Sequence, residues 1–184
     1  MKKNLLPALM LAMAGLLGWL WLTPVGQVSS PDITLPGLDG ESLKLADFHG
    51  NPLLVTFWAT TCQGCLREMP HLIELYRDFA PQGLQIIGIA MSYDPPNRVL
   101  AVRDQRKIPY PIALDIHADA ARAFGDVSLT PTSFLIAPDG HILFEKAGEL
   151  DLAQLRNTII SLLGQTATAQ GCPQPHKEAS TCSG

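Results

Sequence analysis

Charge and cysteine are both scarce in this sequence. Only 16% of its residues are charged, the formal net charge is −4, and no basic run is longer than the pair Lys2-Lys3. Phosphate backbones are bound through clustered lysine and arginine, so this balance excludes nucleic acid as a partner. Four cysteines are too few for a disulfide scaffold, yet they fall in two close pairs, Cys62/Cys65 and Cys172/Cys182, a usage that fits an oxidising compartment. The five histidines (49, 71, 117, 141 and 176) form no ligand spacing, and neither a metal centre nor a cofactor is expected. No Ala-x-Ala-like cleavage site follows the one long apolar run, and no cysteine stands just after it to carry lipid.

That run, Leu5 to Leu22, is uncharged and follows Met1-Lys2-Lys3-Asn4. As a helix it spans roughly 27 Å, enough for the hydrocarbon core of a bilayer and long for a removed signal. Trp19 and Trp21 stand at its far end, where an aromatic belt lies. The reading is an uncleaved single-pass anchor over residues 1–22, lysines in the cytoplasm and the rest exported. Residues 23–31 read as a linker and 32–164 as one domain. Residues 165–184, rich in Gln, Thr, Ala and Ser, read as a poorly ordered tail. The plainest role for Cys172 and Cys182 is a small disulfide loop, restricting the unfolded chain by roughly 2.8 kcal/mol. After it come thiol exchange with the first pair and a soft-metal site completed by His176.

The domain is centred on the first pair. Leu53-Leu54-Val55-Thr56-Phe57-Trp58 has the character of a buried strand, and Leu66, Met69, Leu72, Ile73, Leu75, Tyr76 and Phe79 recur at helical spacing. Cys62 therefore stands at a helix start. There the free N–H groups and the macrodipole favour an anion by about 0.3–1 kcal/mol, up to ~2 in good geometry. At 1.36 kcal/mol per pKa unit, this brings a thiol of pKa ~8.5 toward neutrality. Cys65 lies one turn on, within reach to close a disulfide. Half of a zinc site is the bland alternative for such spacing, but its remaining ligands would have to come from the tail.

Around this unit the chain alternates. A small hairpin turns on Asp39-Gly40, and Pro70 sits inside the helix of about 63–80, removing one ladder bond. A second apolar strand runs from Leu84 to Met91. A helix follows with Asp94 as its cap, then a short extended piece from Ile112 to Leu114 and a short helix stopped by Gly125. Strands Thr132 to Ala137 and His141 to Lys146 flank a Pro138-Asp139-Gly140 turn, and a last helix runs from Asp151 to Gly164. The fold class is an α/β sandwich, a mixed sheet covered by helices, with the hairpin at its amino-terminal side.

Three ordered blocks carry a family resemblance. They are Gly40, Leu43, Leu45, Asp47 with Gly50-Asn51-Pro52; Phe57-Trp58-Ala59-Thr60 with Cys62-x-x-Cys65 and Arg67-Glu68-Met69-Pro70; and Thr130-Pro131-Thr132-Ser133-Phe134-Leu135-Ile136 with Asp139-Gly140. From about Pro31 to Leu163 the chain resembles the thioredoxin-like superfamily, and within it the membrane-anchored TlpA-like periplasmic oxidoreductases, a group that includes cytochrome c maturation reductases. The resemblance implies a thioredoxin-like sandwich, with Cys62 as attacking thiolate and Cys65 as resolving thiol. It implies a cis Thr130–Pro131 bond against Cys62, and substrate binding by Thr130, Pro131 and Trp58. The partners it implies are oxidised proteins, apocytochrome c or other periplasmic thiol proteins among them, and an electron donor in the membrane.

The chain departs from that pattern in three places. Thr61 replaces a tryptophan before the first cysteine, and Thr56 replaces a buried acid. Tyr93 stands where a glutamate is common, leaving Asp94 as the neighbouring proton acceptor, although helix capping is its plainer role. Glu68 reads as a solvated first-turn carboxylate. Two other functions compete with the reductase. A peroxiredoxin-like peroxidase would want a threonine where Ala59 stands. A copper carrier would use Cys62, Cys65 and His176 as soft ligands.

Overall fold

The computed structural model describes residues 28–170, together with residue 13. The anchor expected over residues 1–22, and the tail residues Cys172, His176 and Cys182, lie outside the described residues. Among the described residues no helix is long and apolar enough to cross a membrane.

β1 (Thr34–Pro36) and β2 (Ser42–Lys44) form the antiparallel hairpin, in register Leu35 to Leu43. The main sheet has the order β5-β4-β3-β6-β7, with β3 (Leu53–Trp58) at its centre. β4 (Gln85–Ala90) and β5 (Ile112–Leu114) run parallel to β3, while β6 (Thr132–Ile136) and β7 (Ile142–Ala147) return antiparallel. Helices α1 (Gln63–Phe79), α2 (Pro96–Arg106), α3 (Asp119–Ala123) and α4 (Leu152–Gln170) complete the chain. This is the mixed, helix-flanked sheet with an added hairpin that the apolar pattern predicts.

Every residue of β3 is buried, because both faces of a central strand are covered. Its period of two divides the core. Leu54 and Trp58 pack with α1 and α4, whereas Leu53, Val55 and Phe57 pack with the hairpin, α3 and Phe134. Thr56 faces α1 between Leu54 and Trp58 and shares a 3.0 Å hydrogen bond with the cross-strand hydroxyl of Ser133. Both are buried, so the pair satisfies itself without a charge. Opposite Thr56 stands Gly88, where a Cβ would lie 3.1 Å from Trp58 Nε1 and 3.4 Å from Tyr110. The missing side chain leaves the indole room to pack against the neighbouring strand, beside Cys65.

Pro70 does remove a ladder bond in α1, and the structure supplies a substitute. The carbonyl of Leu66, which an N–H at position 70 would have met, accepts from Arg106 Nη1 at 2.9 Å. The outer edges are also partly closed. Leu38 N–H donates to Ile112 of β5, and Val28 accepts from Ile142 of β7.

Two expectations are corrected. α4 does not stop at Gly164 but continues to Gln170. A helix-interior glycine costs only about 1 kcal/mol relative to alanine, and Gln165, Ala167, Ala169 and Gln170 are strong helix formers that carry the helix past it. Asp94 does not cap α2, which begins at Pro96 after Pro95 with no side-chain cap bond. A capping carboxylate at 94 would need the N–H of residue 96 or 97, and the first of these is a proline. The cap of the last helix is as expected, Asp151 accepting from Ala153 and Gln154.

Candidate functional site

Cys62 is the residue at which extended backbone becomes helix, with φ −81° and ψ 104°, and its sulfur accepts the N–H of Cys65 at 3.1 Å. The two sulfurs are joined in a disulfide. Cys62 is half-buried, whereas Cys65 is 3% exposed. An incoming disulfide can therefore meet Cys62 alone, and Cys65 can act only on what Cys62 holds.

The peptide Thr130–Pro131 is cis, and the proline ring lies against the dithiol turn. A Cβ at Gly64 would stand 3.4 Å from Pro131 Cδ. Thr130 is half-buried and Pro131 buried. Trp58 is 3% exposed and lies under the pair in the core.

Asp94, buried at the end of the β4 loop, reaches the active-site loop instead of α2. Its carboxylate accepts the Thr60 N–H at 2.5 Å and the Thr60 hydroxyl at 2.6 Å. It fixes the segment leading into Cys62, and it does not line the cavity behind Cys65. Thr61 is exposed next to the pair.

The acid that does line that cavity is Glu68, which corrects its reading as a solvated carboxylate. It is 5% exposed and shares a space of about 10 Å³, on the order of one water, with Cys65, Thr56, Trp58, Met69, Leu72 and Tyr110. Its carboxylate accepts the Leu150 N–H at 2.6 Å. Burial pushes its pKa above the usual carboxylate range, against the Leu150 hydrogen bond that pulls it down; Glu149 adds to the rise and His71 opposes it. Burial and then the Glu68 charge likewise push the Tyr110 hydroxyl up. The signal for Glu68 was in the sequence. Position 68 is three residues past Cys65 and belongs to the stripe that continues through Met69 and Leu72, so it faces inward.

Three consecutive residues after β7 tie these pieces together. Gly148 N–H donates to the Pro131 carbonyl at 2.8 Å, Glu149 pairs with Arg67 at 2.5 Å, and Leu150 N–H holds Glu68. Among the described residues no group of three or more His, Cys, Asp or Glu is placed to hold a metal ion.

A family model described as the AhpC/TSA family matches residues 27–144. The thiol-disulfide oxidoreductase ResA of Bacillus thuringiensis subsp. konkukian is 33% identical over 129 residues, covering 68% of this chain and 72% of its own. The solution structure of a protein from Neisseria meningitidis described as a thioredoxin superposes with a TM-score of 0.70 at 30% identity, over 82% of this chain and 99% of that one. The thioredoxin domain of a thiol-disulfide oxidoreductase from Bacteroides vulgatus gives 0.64 at 28% identity, over 77% and 99%.

Proposed function

The chain belongs to the AhpC/TSA family and is a thiol–disulfide oxidoreductase of the thioredoxin-like type, and from that premise we propose that it reduces protein disulfides outside the inner membrane through Cys62 and Cys65. One observation carries this reading. A half-exposed sulfur stands at the start of a 17-residue helix, bonded to a buried sulfur and flanked by a cis proline.

In the reaction the Cys62 thiolate attacks one sulfur of a substrate disulfide. The substrate S–S bond breaks, its second sulfur leaves as thiolate, and a mixed disulfide forms. Cys65 then gives its proton to Glu68 and attacks the Cys62 sulfur. The mixed disulfide breaks, the substrate sulfur that was bonded to Cys62 leaves as thiolate, and Cys62–Cys65 closes. The substrate gains two electrons and the protein loses two. Glu68 suits the acceptor role because it faces Cys65 across a small enclosed space and its raised pKa lies nearer that of a thiol. Asp94 keeps a supporting role at Thr60. Thr130 offers backbone to an extended substrate segment beside the dithiol.

The uncharged run Leu5 to Leu22 supports placement on the inner membrane with the domain in the periplasm, and a dithiol donor in the membrane re-reduces Cys62–Cys65. Cytochrome c precursors and other periplasmic thiol proteins are the substrate class, in keeping with the resemblance of the three sequence blocks to the cytochrome c maturation reductases. A Cys65→Ala variant expressed in the periplasm tests the reading. It should accumulate mixed disulfides that vanish on reduction and depend on Cys62. No adduct, together with Cu(I) uptake or peroxide turnover requiring the same cysteines, would overturn it.

A further inference from the structure

The pair Arg67–Glu149 sits at the rim of the dithiol turn. Glu149 Oε1 would be 3.4 Å from a Cβ at Gly64 and Arg67 Nη2 3.7 Å, ordinary contact distances that place the pair directly beside the turn between the two cysteines. Glu149 is also the neighbour of Leu150, whose N–H holds Glu68. We propose that Glu149, paired with Arg67, is a positioning residue that sets how readily Glu68 takes the proton of Cys65, and hence the pH range in which the mixed disulfide is resolved. This rests on the reading of Glu68 as proton acceptor given above.

The physical basis is charge at short range. Glu149 carries the same sign as ionised Glu68 and disfavours it; Arg67 neutralises Glu149 and favours it. Other titratable groups facing Glu68 are His71 on its own helix, Cys65 one turn before it, and Tyr110 from the loop before β5. None of these is altered by changing the pair. Both partners are half-exposed or more, so their effect is screened and falls as salt is raised.

The test uses the full chain in detergent and follows the resolution step alone. Release by Cys65 of a chromogenic thiol, held on Cys62 in a mixed disulfide formed in acid, is timed after jumps to pH 4–9 at low salt, so that ionisation of Cys62 does not enter. The rate should rise with pH as Glu68 ionises. Glu149→Gln should move that limb down and Arg67→Gln should move it up, each by about half a pH unit, with both shifts shrinking at high salt. Loosening of the loop alone would weaken the Leu150 bond in both variants and move both limbs upward, which overturns the proposal; unmoved limbs overturn it too. Glu68→Gln separates the two levels. If the limb survives that change, the reading of Glu68 itself fails; if the limb disappears while the pair variants leave it in place, only the present inference fails.

Discussion

Glu68 is the residue at which burial and chemistry meet. A carboxyl whose folded pKa stands above the usual range binds its proton more tightly when folded than when unfolded. Its contribution is therefore most favourable below the ordinary carboxylate pKa, and is lost as pH rises through the raised value. Glu68→Gln keeps an acceptor for Leu150 N–H and removes this dependence. The variant's stability relative to the parent should thus improve between pH 4 and 8, measured by urea unfolding, while disulfide reduction falls by roughly 10²–10⁴-fold, the usual contribution of a general base. Equal activity in the two proteins would return Glu68 to a structural role. Asp94 makes a second prediction at this scale. Asp94→Ala removes the acceptor of two Thr60 bonds in a buried setting, and should cost about 1–3 kcal/mol while loosening the approach to Cys62. Much of this was legible in the sequence. Cys62 and Cys65 follow from the strand-to-helix junction, whereas the cis proline follows only from the family resemblance, since most X–Pro bonds are trans. Asp94 and Glu68 were misplaced for reasons of context: the consecutive prolines at 95 and 96 deny the expected cap its donor, and the inward stripe of α1 takes in a charged residue.

At the scale of elements, α1 is a helix with a fault that is repaired from outside. Pro70 strips Leu66 of its helical donor, and Arg106 on α2 replaces it. Arg106→Met should leave that half-buried carbonyl unsatisfied and cost about 1–3 kcal/mol, read as a lowered urea midpoint, whereas Arg103→Met, whose partners Asp39 and Asp104 are exposed, should leave the midpoint nearly unmoved. Equal losses would mean that the Leu66 bond has no special weight. The sequence showed the missing bond but not its replacement, since residues 66 and 106 meet only through the packing of α2 on α1. Strand boundaries were read to within a residue or two from period and β-branching. The end of α4 was not, because a single glycine is a weak stop when good helix formers follow it.

For the whole molecule, the sheet topology brings together what the sequence keeps far apart. β3 leads into the dithiol turn, β6 begins just after Pro131 beside it, and the loop after β7 returns to bond Pro131, Arg67 and Glu68 within three residues. That last contact joins positions more than eighty residues apart in sequence, so no local pattern foretold it. The account stands on the ionisation of one sulfur, and the direct measurement is the pH dependence of alkylation of the two thiols in the reduced protein. Cys62 should react as a thiolate with a midpoint below the ~8.5 of free cysteine, while buried Cys65 reacts slowly and only at higher pH. Two thiols that both titrate like free cysteine would contradict it.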